Sequence, residues 1–322
     1  MELTFRHMLY FALLNFVIIF LGYVFIKKTM IVLSWILLVV TIFIADLLFL
    51  HEQPILKMLA IIATTFAGMK VITVAESYKG KELTLKLNQW LVFAVGWAGM
   101  PAQPFETLGA NPLPNAWPMI RFGISRIIAG LLLILLAHQV VLLPWDHNLI
   151  HILVSAVLLV ALSLILHFGI LSISAGMWRL QGVNAYLLFN APLKSSSLTE
   201  FWGRRWNIAF SEMTAITIFR PLKSKVGDGA ALMLAFIFSG LLHELALSVP
   251  VNNGYGLPLL YFIIQGILVL IEKVLSSKKI MFLQNKIIGK IWTLFWVIAP
   301  MPLLFHTQFI TEIVWPLAGL HF

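Results

Sequence analysis

Eight stretches of this chain are long and apolar enough to cross a hydrocarbon core of about 30 Å, which takes roughly 20 helical residues. They are Leu9–Ile26, Met30–Leu50, Met58–Ser77, Phe122–Leu143, Leu149–Trp178, Ala230–Val249, Leu257–Leu275 and Ile291–Ile310. The fifth is overlong, which implies tilt or extension past the membrane. Leu87–Met100 is apolar but short, with glycines at 96 and 99, so it is either a ninth span or a re-entrant or interfacial helix. Composition agrees: 61% of the 322 residues are apolar and 11% charged, where a soluble domain carries about a quarter charged residues. A water-soluble fold has no means of hiding that much apolar surface. Lipid is the solvent.

Charge settles the short segment. The formal charge is +9, with 22 Lys and Arg. Such basicity is compatible with nucleic-acid binding, but positive-inside topology explains it more economically. With Leu87–Met100 not crossing, one side collects Lys27 and Lys28, the cations from Lys79 to Arg121, those from Arg179 to Lys225, and those from Lys278 to Lys290, Lys279 among them. Only Arg6 and Lys57 fall opposite, while Lys70, Arg126 and Lys273 sit near inner span ends and can snorkel. If the segment crossed, the asymmetry would collapse. The expectation is eight spans with both termini on the non-cytoplasmic side, in a bacterial inner membrane or an endoplasmic reticulum.

No repeat, heptad or low-complexity tract is visible, so a single polytopic domain over 1–322 is the simplest organisation. The first apolar run lacks a small-residue cleavage site and is read as a retained span. The absence of cysteine excludes disulfides, thiolate metal sites and a cysteine nucleophile. The longest polar interval, 179–229, lies on the basic side and holds Phe201, Trp202, Trp206, Phe210 and Phe219, a composition that argues against disorder.

Two features there bear on chemistry. In Ser195–Asn207, Ser197 and Glu200 have capping-box spacing, which predicts a helix start. On that helix Trp202 and Trp206 would share a face, as would Phe201 and Arg205. An interfacial amphipathic helix, with Trp in the headgroups and Arg204 and Arg205 toward anionic lipid, explains this as well as a functional site does. The second feature is Phe238-Ser-Gly-Leu-Leu-His-Glu-Leu245, inside the sixth span. Ionisable groups there are costly and are functional candidates. His243 and Glu244 are weighed against a structural histidine between helices; for His138, His151, His167 and His306 the structural reading is preferred. A zinc protease is excluded because position 247 is leucine, not a second histidine. No other metal-ligand set is seen. Asp46 is either a polar helix contact or part of a substrate path.

Together, Leu198-Thr-Glu-Phe-Trp-Gly-Arg-Arg-Trp-Asn207 and Phe238–Leu245 resemble the wax synthase branch of the membrane-bound O-acyltransferase superfamily. Trp97-Ala-Gly-Met-Pro-Ala-Gln-Pro-Phe105 is similar, more loosely, to an upstream segment of such proteins. The resemblance covers about 97–271. It implies an all-α integral membrane fold of about eight transmembrane helices, a re-entrant or interfacial helix near 87–100, and a cytoplasmic-side helical segment near 197–220. It implies acyl transfer from acyl-CoA, as co-substrate rather than cofactor, to the hydroxyl of a lipid-like alcohol. His243 matches the family's catalytic histidine and Asn207 its partner; alginate-type relatives have histidine at the latter position, so asparagine points toward lipid-like acceptors. Substrate or CoA contacts are expected among Trp202, Arg204, Arg205, Trp206, Ser239 and Glu244, with no metal and no nucleic acid. An acetyl-transferring enzyme on a secondary metabolite or sterol-like alcohol, or a proton-coupled transporter, would be the alternatives; transporters often show related halves, which are absent here.

Overall fold

A computed structural model describes residues 2–278 and 285–321; Lys279 lies outside them. The described residues are helical with no strand. Among the described residues eight helices are long and apolar enough to cross a membrane: Thr4–Lys27, Ile31–Leu48, Pro54–Ser77, Ala116–Val141, His147–Leu180, Asp228–Leu247, Leu257–Ser277 and Lys286–Leu304. Each corresponds to one apolar stretch of the sequence. Their outward residues include Val39, Leu132 and Ile291, each at least 60% exposed, a surface that suits lipid and not water. The chain is an all-α integral membrane protein.

It divides into two compact units. One comprises Pro104–Asn190 and Thr307–Phe322. Its two long helices, Ala116–Val141 and His147–Leu180, run antiparallel with glycines in the seam. A Cβ at Gly123 would lie 2.6 Å from the Gly169 carbonyl oxygen, one at Gly130 2.7 Å from that of Ala161, and one at Gly176 2.6 Å from that of Ala116. The backbones touch because nothing stands between them, the small-residue packing that replaces the hydrophobic effect inside lipid. The overlong span contains a π-helical stretch, Leu164–Ile170. Here His138 reaches the Ala318 carbonyl and His167 the Ser163 hydroxyl, as structural histidines do.

The other unit comprises Met1–Gln103 and Ala191–His306. Leu87–Gly96 is a ten-residue helix, about 15 Å long, half of what a crossing needs. Lys70, on the Pro54–Ser77 helix, explains how it stays inside. Its Nζ donates to the carbonyls of Phe93 and Ala94, each at 2.9 Å, and to that of Trp97. Those carbonyls lie at a helix end, where acceptors outnumber amide donors, and a cation there also complements the helix dipole. Lys70 is 3% exposed, so it does not snorkel as the sequence suggested; an acceptor-rich helix end lies closer than the interface. Lys70→Met should lower thermal stability in detergent by about 2–4 kcal/mol, the cost of stranding buried acceptors. A melting temperature equal to wild type would refute the cap. Asp46 is a polar helix contact: it pairs with Lys57 at 2.9 Å.

Candidate active site

The string from Ser195 to Asn207 begins as its capping residues dictate. Ser197 Oγ accepts the amide of Glu200 at 3.0 Å. The Glu200 carboxylate turns back one residue further than a capping box requires, to Ser196 N and Oγ at 2.9 and 3.1 Å. The two amides left over, Leu198 and Thr199, donate to Glu272 at 2.8 and 2.9 Å. Glu272 belongs to the Leu257–Ser277 helix and is 3% exposed. It also accepts from Thr199 Oγ1 and Trp292 Nε1. The amides of Leu198, Thr199 and Glu200, which have no intrahelical acceptor, are thereby satisfied.

After Glu200 the helix widens into a π turn, Phe201–Arg205, and stops. Trp206 is extended and Asn207 left-handed, at φ 46°. The π winding and early stop separate the residues that α-helical spacing would stack. Trp202 turns to the Leu257–Ser277 helix, where its Nε1 donates to Gln265 at 3.0 Å beside Tyr261 and Phe262. Trp206 instead stacks on the buried Phe201, with centroids 5.6 Å apart. Gln265 and Glu272 are two helical turns apart and share a face. The string therefore runs along that helix from Glu272 toward Phe262. Arg205 forks onto Glu200, Nε at 2.7 Å and Nη2 at 2.6 Å. Burial works to raise the Glu200 carboxyl, but hydrogen bonds from Ser196 and Arg205 outweigh it and hold the group below the ordinary carboxylate range. The stabilisation is present at neutral pH and is lost on acidification. Arg204 is exposed.

From Asn207 the chain climbs back. Asn207 Oδ1 caps the next helix, Ile208–Thr214, at the Phe210 amide, and asparagine is among the few residues at ease with a positive φ. A π turn, Ala215–Phe219, leads into Arg220–Val226. Gly227, at φ 82°, reverses the chain into Asp228–Leu247. The two arms form an antiparallel hairpin whose deep end brings Phe210 edge-on to the His243 ring, 5.4 Å between centroids. Phe262 closes the other side at 4.3 Å.

His243 Nδ1 lies 2.7 Å from the Ser239 carbonyl oxygen, one turn back. A carbonyl only accepts, so Nδ1 carries the hydrogen and neutral imidazole keeps its lone pair on Nε2. Ser239 thus acts through its backbone; its hydroxyl bonds back to Ala235. Glu244 faces elsewhere, accepting the Leu259 amide at the start of the Leu257–Ser277 helix, 2.9 Å away. Of the residues singled out from sequence, Ser239 holds His243 through its carbonyl, Asn207 caps the helix whose Phe210 meets the His243 ring, Trp202 and Trp206 pack the string, and Arg205 and Glu244 are engaged in other bonds. Glu272 and Gln265 escaped notice, and Phe210 was read only as part of an ordered interval. Only Phe210, three residues after Asn207, left a local signal.

Residues 186–264, which contain both the string and His243, match the membrane bound O-acyl transferase family. Over this segment the chain resembles that superfamily. Among its curated relatives is a long-chain-alcohol O-fatty-acyltransferase of Simmondsia chinensis, 29% identical over 110 residues, 30% of this chain and 31% of the relative. A probable long-chain-alcohol O-fatty-acyltransferase of Arabidopsis thaliana is 26% identical over 168 residues, 50% and 47% of the two chains. An acyl-CoA–sterol O-acyltransferase from the same plant is 39% identical over 64 residues, 18% and 19%. The aligned part thus spans less than half the length of these relatives. Their names are those of the wax synthase-like branch, which the matched segment resembles.

Proposed function

We propose that the protein transfers an acyl group from acyl-CoA to the hydroxyl of a lipid-like alcohol, with His243 as general base and Asn207 as its partner. The observation that carries this reading is the fixed imidazole: Nδ1 tied to Ser239, Nε2 left as a base, at the deep end of the family's matched segment. An alcohol is a weak nucleophile until a positioned base takes its proton. In this mechanism Nε2 removes the hydroxyl proton as the oxygen attacks the thioester carbonyl. Charge develops on the carbonyl oxygen, and the Asn207 Nδ2 amide, whose Oδ1 is spent on the helix cap, supplies a donor for it. Collapse expels the CoA thiolate, which takes the proton back from imidazolium. With no cysteine in the chain, transfer is direct, without a thioester on the enzyme. The basic loops face the cytosol, so that the CoA head stays in water while both chains lie in lipid.

The test is an assay on purified protein in detergent, offering palmitoyl-CoA and acetyl-CoA to long-chain alcohols, sterols and a water-soluble alcohol. A palmitate ester of a long-chain alcohol is expected. Acetyl transfer alone would replace the long-chain donor. No ester from any pair, with the protein folded, would remove the acyltransferase reading. The sterol acceptor is included because of the sterol-acylating relative.

A further inference from the structure

The cations that sequence reasoning offered to CoA do not form a site: Arg205 is paired with Glu200, leaving Arg204 alone beside it. Three other cations do converge. A cavity of about 310 Å³ is lined by Lys79 and Lys81 from the turn after Pro54–Ser77, and by Arg220, with Ile216 and Pro221 as its apolar wall. Gly80 shapes the turn at φ 73°, and the Lys81 amide closes it onto the Tyr78 carbonyl at 2.9 Å. Glu76 and Ser77 complete the lining. The ion pairs among the described residues involve His7, Lys57, Arg205 and Lys223, and none involves these three cations. Three cations against one carboxylate in a concavity of this size favour a polyvalent anion with rigid oxygens.

We infer that this cavity binds a phosphate ester. Its place in the fold indicates which. Arg220 stands ten residues after Phe210 on one helical run, so about 15 Å separates the cavity from the ring beside His243. An extended pantetheine arm is of comparable length. With its phosphates at Lys79, Lys81 and Arg220, a CoA thioester would reach His243 along the Ile208–Val226 arm. This assignment of the ligand rests on the acyl-CoA donor proposed above; an anionic lipid headgroup presents the same phosphate chemistry.

The experiment compares wild type with the K81A/R220A double variant and with K28A, which removes a cation from a different exposed turn. Each protein, in neutral detergent, is titrated with coenzyme A and separately with short-chain phosphatidylglycerol, and the KM for acyl-CoA is measured. The double variant should bind coenzyme A about tenfold more weakly, the effect expected of two partly exposed charge contacts. KM should rise by a similar factor with kcat kept, and K28A should match wild type. Weakened phosphatidylglycerol binding with unchanged coenzyme A binding would keep the phosphate site and assign it to lipid. Undiminished binding of both probes by the double variant, or no binding of either by wild type, would overturn the inference. Failure of the acyltransferase reading appears separately, as wild type that forms no ester.

Discussion

His243→Ala should abolish ester formation to within the background, a fall in kcat of roughly 10²–10⁴-fold, the usual contribution of a positioned general base, while the protein melts as wild type does. The stability half follows from what the ring contributes to the fold. Its Nδ1 bonds a carbonyl of its own helix, and Phe210 and Phe262 pack against it without depending on its nitrogens. Asn207 needs a subtler substitution, because alanine would remove a helix cap together with any catalytic donor. Aspartate separates the two. It caps helices as well as asparagine does and keeps an oxygen for the Phe210 amide, but it has no amide hydrogens. Asn207→Asp should therefore hold the fold and lose most of the rate. An Asn207→Asp enzyme of normal kcat would reduce this residue to a cap, and an active His243→Ala enzyme would end the mechanism altogether.

The parts of this site differ in how far they could be read ahead, and the reasons are physical. Spans are legible because crossing lipid needs a continuous apolar run, a property of neighbouring residues. The short Leu87–Gly96 helix was legible as a non-crossing element because its orientation sets the side of every later cation. What holds it in place was not: Lys70 bonds carbonyls 23 to 27 residues away, and in sequence it is merely a cation near a span end. The start at Ser197 was legible because capping is local. The course after it was not, since a π turn, Phe201–Arg205, leaves no mark in residue types and cancels the α-helical spacing that pairs Trp202 with Trp206. The imidazole could be named from its setting in a span, but its tautomer required the Ser239 carbonyl distance.

Glu272→Ala should be the most damaging single change outside the reacting groups. It would strand the amides of Leu198 and Thr199, the Thr199 hydroxyl and the Trp292 indole at once. At about 1–3 kcal/mol for each buried donor left without an acceptor, and with partial relaxation, a loss of about 3–5 kcal/mol is expected. It should appear as a lower melting temperature and as trypsin cleavage at Arg204 or Arg205. Glu272→Gln tests the sign of the charge. Its amide keeps one acceptor oxygen but turns an NH₂ toward amides that already donate, and it removes the anion that favours a helix N-terminus. It should fold and fall between wild type and alanine in stability. Its kcat should drop further than its melting temperature suggests, because the anchored turn fixes where Asn207 enters the bundle. Thr199→Val, which removes only the hydroxyl contact, should stay near wild type in both. If Glu272→Ala melted normally and remained active, the string would be held by its aromatic contacts with Tyr261 and Phe262 alone, and the carboxylate would have no part in placing Asn207.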